Sequence, residues 1–428
     1  MSHRHVNKRT GFAAGACAIA IAGAAILLPS AHASSEHEQR GDRRTESRVL
    51  TPDAAARLGT ALTATLGNGA AGWYYSADAK QLVVNVLDAR GARSVEAGGG
   101  VARIVPNSTA ALKNAAQTLK ATASVPGTAW SVDPRTNTVS VLADSTVTGD
   151  RMATLNRAVD DLGGLVTMKR SAGVFRPFDG HHRGGQGMAG QGSDAQGTGG
   201  QDQSGQDQSG QAVGGVSGGD AIFGGAVRCS LGFNVDVAGA PAFLTAGHCG
   251  NEADTWFADQ NGTQQLGTVA VSTFPVADFS LVTYDDAATQ PPSAVDLGDA
   301  GTQEITRAVD ASVGLQVTRS GSTTGVHEGT VTGLDATVNY GNGDIVNGLI
   351  QTDVCAEPGD SGGALFAADA AVGLTSGGSG DCTSGGETFF QPVTTALAAT
   401  GATIGAPDGA DPGASDTAVG DEPGMTDN

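Results

Sequence analysis

Between residues 179 and 215 this chain holds almost nothing that a folded core could use. Gly, Gln, Ser and Asp dominate the stretch, including the tandem QDQSG at Gln201–Gly205 and Gln206–Gly210. Too little apolar surface is present to offset the entropy of ordering it, so the segment reads as a flexible, exposed, cleavable linker. A chain of 428 residues is longer than one core supports, and the linker marks where it divides. The adjacent His181 and His182 at its start read as solvated side chains rather than as a metal site.

The two sides differ in charge and in class. Residues 1–215 carry 21 Lys+Arg against 17 Asp+Glu, whereas residues 216–428 carry 3 against 27. Mutual attraction between the halves is expected. Nucleic acid is excluded as a partner, because Arg228, Arg307 and Arg319 are the only basic side chains beyond residue 215 and cannot neutralise many phosphates. His3, Arg4, Lys8 and Arg9, an apolar run from Phe12 to Leu28 and then Ala31-His32-Ala33 form an export signal, removed after Ala33. No later segment is apolar enough to span a bilayer. With Cys17 in the discarded part, Cys229, Cys249, Cys355 and Cys382 remain, which implies two disulfides with three possible pairings.

The first side alternates helix and strand. Thr51-Pro52-Asp53 caps a helix towards Leu66, and Leu82 to Leu87 alternate as a strand. Trp130 with Val139, Val141 and Ala143 echoes Trp73 and its strand about 57 residues on, a weak internal duplication. Helices at Ser108–Ala121 and Gly149–Leu162 and a strand at Leu165–Lys169 complete an α+β unit. The second side has short Val, Thr, Phe and Ile runs broken by Gly, Asn-Gly and Asp-Gly turns, with helical periodicity only at Val393–Ala399. That pattern predicts an all-β domain of two barrels. Past Ala406 the acidic Gly/Pro/Ala tail is expected to be disordered.

Two short words in the β half carry chemistry. LTAGHC places His248 after an apolar strand, and GDSGG places Ser361 among glycines. A serine hydroxyl becomes a useful nucleophile at neutral pH when an imidazole takes its proton and a carboxylate orients the imidazole. Gly359 to Gly363 also fits the G-x-S-x-G elbow of α/β-hydrolases, but that fold needs its histidine after the serine, and none follows Ser361. The third member is Asp278, which leads the buried strand Phe279-Ser280-Leu281-Val282. Asp254, Asp285 and Asp286 are the alternatives, in solvated contexts. The N–H groups of Gly359 and Ser361 are the candidates to hold the oxyanion, for about 3 kcal/mol per donor.

These residues resemble the chymotrypsin-like serine proteases, and among them the secreted bacterial streptogrisins, over Val216 to Ile404. The words SGGDAIF, RCSLGFNV, LTAGHC, RSGSTTG, ATVNYG, CAEPGDSGG, LTSGGSG and FFQPVT carry the resemblance. It implies an all-β double six-stranded barrel with His248, Asp278 and Ser361 in the cleft, and disulfides Cys229–Cys249 and Cys355–Cys382. It implies an edge strand Ser376-Gly377-Gly378 that pairs with substrate, and an apolar pocket formed with Ala356, Pro358 and Thr388. Arg319 is the implied internal partner of Asp360, and His327 has no catalytic role. Asp353, two residues before Cys355, stands where trypsin-like relatives hold the acid that binds Lys or Arg; the preferred reading is a solvated carboxylate outside the pocket. Thr375 stands where glutamate-specific relatives carry histidine. Ala364 stands where the family commonly has proline.

The earlier half, with GTAWSVDPRTN and AGVFRP, resembles the pro-regions of the α-lytic protease group. The expected organisation is signal 1–33, α+β pro-domain 34–178, linker 179–215, protease 216–405 and acidic tail 406–428. The expected function is a secreted serine endopeptidase that processes its own precursor just before Val216 or Ser217, cuts after large apolar residues, and acts on proteins or peptides. The pro-domain is expected to template folding and to plug the cleft, against the alternative of a passive spacer. Neither cofactor nor metal is expected, and a monomer is the default. The rival functions are Lys/Arg specificity and an inactive homologue that binds peptides without cutting.

Overall fold

This computed structural model describes residues 48–178, 180–181 and 216–405. The expected export signal with Cys17, the side chains of His181 and His182, linker residues 179 and 182–215, and the tail from 406 lie outside them. No helix among the described residues is long and apolar enough to cross a membrane.

Before the linker stand two units of the same build. In the first, helix Pro52–Leu66 starts where the Thr51 hydroxyl accepts the Ala54 N–H and where Pro52 has no N–H to leave unpaired. Antiparallel strands Ala70–Ser76 and Gln81–Val86 follow, then helix Ala89–Ala97, then Val101–Ile104 parallel to the second strand. The second unit repeats this order and these senses: helix Thr109–Thr122 capped by Ser108, strands Thr128–Asp133 and Thr138–Ala143, helix Gly149–Leu162, and parallel strand Val166–Arg170. The duplication read from two tryptophans thus covers the whole unit. Each half closes its own core, one around Tyr75, Leu82, Val84 and Val95, the other around Leu112, Leu119, Trp130, Val141 and Leu155. Helix Ala89–Ala97 was absent from the sequence reading; Asp88 caps it, but Arg90, Gly91 and Arg93 mask its apolar face.

After the linker the chain forms two barrels. Six strands of the second, Gln316–Gly321, Ala364–Ala367, Ala370–Gly378, Thr388–Pro392, Asp344–Thr352 and Gly325–Gly341, pair in that order, and the last returns to the first. Closure leaves backbone open only where strands overhang their neighbours in the ring, at Ser376–Gly378 and at Leu334–Asn339. The first barrel comprises six strands of four or more residues between Ala221 and Tyr284, with the three-residue Thr255–Phe257 inserted among them. Alternate residues fill each interior, led by Phe243, Trp256 and Val282 in one and Val317, Ile350 and Phe390 in the other.

The layer between the barrels positions the site. Phe233, Leu244, Phe279 and Leu281 of the first barrel pack against Ala364, Phe366, Leu374 and Val393 of the second. Leu244 lies on the strand that runs into His248, and Ala364 opens the strand that leaves Ser361. Burying those flanks against one another brings two words 113 residues apart in sequence into one cleft.

The early half joins the second barrel as an extension of its sheet. Thr128, Ala129, Trp130 and Val132 pair antiparallel with Asn339, Val338, Thr337 and Leu334 on the 17-residue strand Gly325–Gly341. An ion pair also links the halves, Asp53 to Arg307 at 2.8 Å. Its sense is opposite to the basic-to-acidic attraction that bulk charge led us to expect.

Candidate active site

His248 lies on a single helical turn, Gly247–Glu252, that follows its strand. Its Nδ1 is 2.9 and 3.0 Å from the two oxygens of Asp278, and its backbone N–H donates to Asp278 Oδ1 at 3.0 Å. On the other side, Nε2 is 2.7 Å from Ser361 Oγ. Asp278 and Ser361 are fully buried and His248 is 5% exposed. The three candidates chosen from sequence are therefore in one hydrogen-bonded line, and Asp254, Asp285 and Asp286 are outside it. Phe274 packs edge-on to the imidazole at 5.6 Å, and Gln391 Oε1 accepts the Asp278 N–H at 2.8 Å. Neither of these two supports was anticipated.

The turn around Ser361 is held from below. Gly359 and Gly362 have φ of 102° and 82°, values that glycine adopts without a steric cost. The Gly359 carbonyl accepts from Ser230 Oγ at 2.8 Å and Ser322 Oγ at 3.0 Å, and the Pro358 carbonyl, on the peptide that carries the Gly359 N–H, accepts from Thr323 Oγ1 at 2.9 Å. Asp360, fully buried, accepts the N–H groups of Thr323, Thr324 and Glu357 and the Thr324 hydroxyl. Arg319 Nη1 lies 3.4 Å from Asp360 Oδ1, as the resemblance implied. Burial pushes the Arg319 guanidinium below its usual range, with Asp360 and Glu357 opposing that shift. The disulfides are Cys229–Cys249, beside His248, and Cys355–Cys382, beside Ala356.

Sequence reasoning expected the pro-domain in the cleft but did not name the segment that occupies it. Arg176 and Pro177, at the end of the early half, pair antiparallel with Gly378 and Gly377 on the edge strand. Phe178 N–H donates to Ser376 O at 3.3 Å, and its carbonyl oxygen accepts the Gly359 N–H at 2.6 Å. The Phe178 side chain is fully buried, and a Cβ added to Gly378 would stand 3.1 Å from its Cζ. Ala356 and Thr388 are buried and Pro358 half-buried, while Thr388 Oγ1 has no hydrogen-bond partner among the described residues. Asp353 is exposed and its carboxylate accepts the Thr330 N–H at 2.6 Å. Tyr340 donates to or accepts from Ser376 Oγ at 3.1 Å, and burial pushes its phenol far above the usual range. The run AGVFRP was the available signal for this occupant, but it carries no local mark of where a cleft lies.

Comparison with known proteins accounts for both halves. The families described as alpha-lytic protease pro N-terminal, alpha-lytic protease prodomain and trypsin match residues 43–105, 107–163 and 230–399. Streptogrisin-D of Streptomyces griseus is 50% identical over 405 residues, 95% of this chain and 92% of that protein. The chain belongs to the streptogrisin family of chymotrypsin-type serine proteases. Serine protease 1 of Streptomyces fradiae is 36% identical over 404 residues, 94% of this chain and 99% of its own. Glutamyl endopeptidase 2 of Streptomyces griseus is 46% identical over 187 residues, 44% of this chain and 98% of its own. This streptogrisin-family chain is thus a serine endopeptidase zymogen with an α-lytic-protease-type pro-region.

Proposed function

We propose that Ser361 is the nucleophile, His248 the general base and then acid, and Asp278 the residue that orients the imidazole. Ser361 Oγ attacks the substrate carbonyl as its proton passes to His248 Nε2, and Asp278 stabilises the imidazolium through Nδ1. Negative charge then develops on the former carbonyl oxygen, where the N–H groups of Gly359 and Ser361 receive it. Water repeats the sequence in reverse on the acyl-enzyme, with His248 taking its proton. The 2.7 Å contact between imidazole and hydroxyl in a buried, hydrogen-bonded line is the observation that carries this assignment.

The substrate preference is for a large apolar residue before the scissile bond, in a pocket formed by Ala356, Pro358, Gly377, Gly378 and Thr388. The buried Phe178 ring beside Gly378 supports it, and the outward, bonded carboxylate of Asp353 speaks against Lys or Arg. The chain is exported under the signal 1–33, with pro-domain 34–178, linker 179–215, protease domain 216–405 and tail 406–428. The pro-domain acts as a folding template as well as a plug. Its sheet supports the long hairpin of Gly325–Gly341 and Asp344–Thr352, on which the barrel's non-local pairings, such as Ile350 with Phe390, must be built and are slow to form alone. The test is cleavage of peptides varied only at the residue before the scissile bond. Phe, Tyr and Leu are expected to lead; a Lys/Arg preference overturns the pocket.

A further inference from the structure

The linker separates two places at which a precursor of this kind could first be cut, and the chain path distinguishes them. Up to Phe178 the backbone follows the edge strand, with Arg176 and Pro177 paired to Gly378 and Gly377. A released product would show that half alone. Here the chain continues beyond the cleft, and Gly180 and His181 pair antiparallel with Arg228 and Val227 on the first barrel. Strand pairing on both sides of the Phe178 carbonyl, with its oxygen on the Gly359 N–H, is the arrangement of a substrate.

The other candidate position is tied down elsewhere. Val216 O accepts from Asn234 Nδ2 at 2.7 Å, and Ser217 N–H donates to Asp220 Oδ2 at 2.7 Å. Gly218 N–H donates to Ala294 O at 2.9 Å, and Ser217 is buried. For the bond before Val216 to reach Ser361 of its own copy, these contacts would have to break and Phe178 leave the pocket.

We propose that the peptide bond after Phe178 is the first one this precursor hydrolyses, intramolecularly, before the chain is trimmed near Val216. The inference rests on the roles assigned above to Ser361 and His248. Ser361 Oγ bonds to the Phe178 carbonyl carbon as the bond to the Asp179 nitrogen breaks. The hydroxyl proton travels through His248 Nε2 to that nitrogen. One water then adds: its hydroxyl goes to the Phe178 carbonyl, and its proton passes through His248 back to Oγ as the ester breaks. The net change is one water consumed, a carboxyl group on Phe178 and an amino group on Asp179. The protease unit then begins at Asp179 and carries the Gly/Gln-rich segment as an amino-terminal extension until a second cut removes it.

The test is a time course of the full precursor by intact mass spectrometry, at two concentrations ten-fold apart. The expected first products are a fragment ending at Phe178 and one beginning at Asp179, formed with the same rate constant at both concentrations. A first new amino terminus at Val216 or Ser217 with the 178–179 bond intact overturns the proposal, as does a rate that falls with dilution. Phe178→Asp should slow the first cut about 100-fold and Phe178→Leu restore it to within about ten-fold, the range over which apolar pockets discriminate. Equal rates for Phe178→Asp and Phe178→Leu would also overturn it. The Ser361→Ala precursor separates the two readings. If it processes itself like the wild type, the nucleophile assignment fails. If it stays whole while the wild type cuts first elsewhere, only the bond assignment fails.

Discussion

Replacing Gly378 by Val should change what the pocket accepts without disabling the reacting groups. Phe178 is fully buried there, and a Cβ on Gly378 would stand 3.1 Å from its Cζ and 3.0 Å from Thr388 Cα and would overlap the Glu387 carbonyl oxygen, so the paired strand Thr388–Pro392 has to shift to admit it. Two further carbons on that Cβ fill the space of the ring tip. Burying a Phe side chain is worth about 1.5–3 kcal/mol, so the wild-type enzyme should favour Phe over Ala before the scissile bond roughly 10- to 150-fold in kcat/KM. In Gly378→Val that ratio should fall to about one or below, since a ring forced into a filled pocket costs a further 1–3 kcal/mol or so. The assay compares two tetrapeptide amides that differ only at this residue, using variant precursor matured by added wild-type enzyme. Titration with a small organophosphate keeps the comparison to competent sites. An unchanged Phe/Ala ratio, or equal loss on both substrates, would refute the pocket.

The remaining predictions concern the groups around it. Asp278→Asn should lower kcat/KM by about 10⁴-fold, because the amide favours the wrong imidazole tautomer, while leaving the unfolding rate of the matured protein near wild type. Asp360→Asn strands the buried Arg319 guanidinium, and a broken buried pair costs about 3–5 kcal/mol, so the matured protein should unfold at least roughly 100-fold faster in denaturant jumps. Burial holds the Asp220 carboxyl above its ordinary value of 3.8, the Ser217 N–H opposes this, and Asp296 adds to it. The folded chain therefore binds more protons than the unfolded one across that window, and this carboxyl's contribution to stability is lost as pH rises through its folded value. Asp220→Asn should accordingly slow unfolding at pH 7 and have no effect below the unfolded value; slower unfolding at both pH values would contradict the sign.

What could be read in the sequence was what depends on near neighbours or on rigid chemical requirements. Thr51 announces its helix because a cap bonds within one turn. His248 and Ser361 announce each other because acyl transfer needs both, and chain order removed the rival fold. Asp278 was legible as the acid that opens a buried strand. Contacts between distant segments were not legible. Gln391 reaches Asp278 across 113 residues, Ser230 and Ser322 hold the Gly359 carbonyl, and Thr128–Asp133 extends a barrel sheet on a strand some two hundred residues away. The boundary after Phe178 was drawn from a change in composition, yet its seat in the cleft depends on a pocket assembled from residues 356 to 388.

Stoichiometric labelling of the matured protein with a fluorophosphonate, mapped by peptide mass spectrometry, tests the central claim most directly. The account predicts one label per molecule, on Ser361, and none in His248→Ala under the same conditions. A matured protein that stays unlabelled, or that carries the label on another residue, would contradict it.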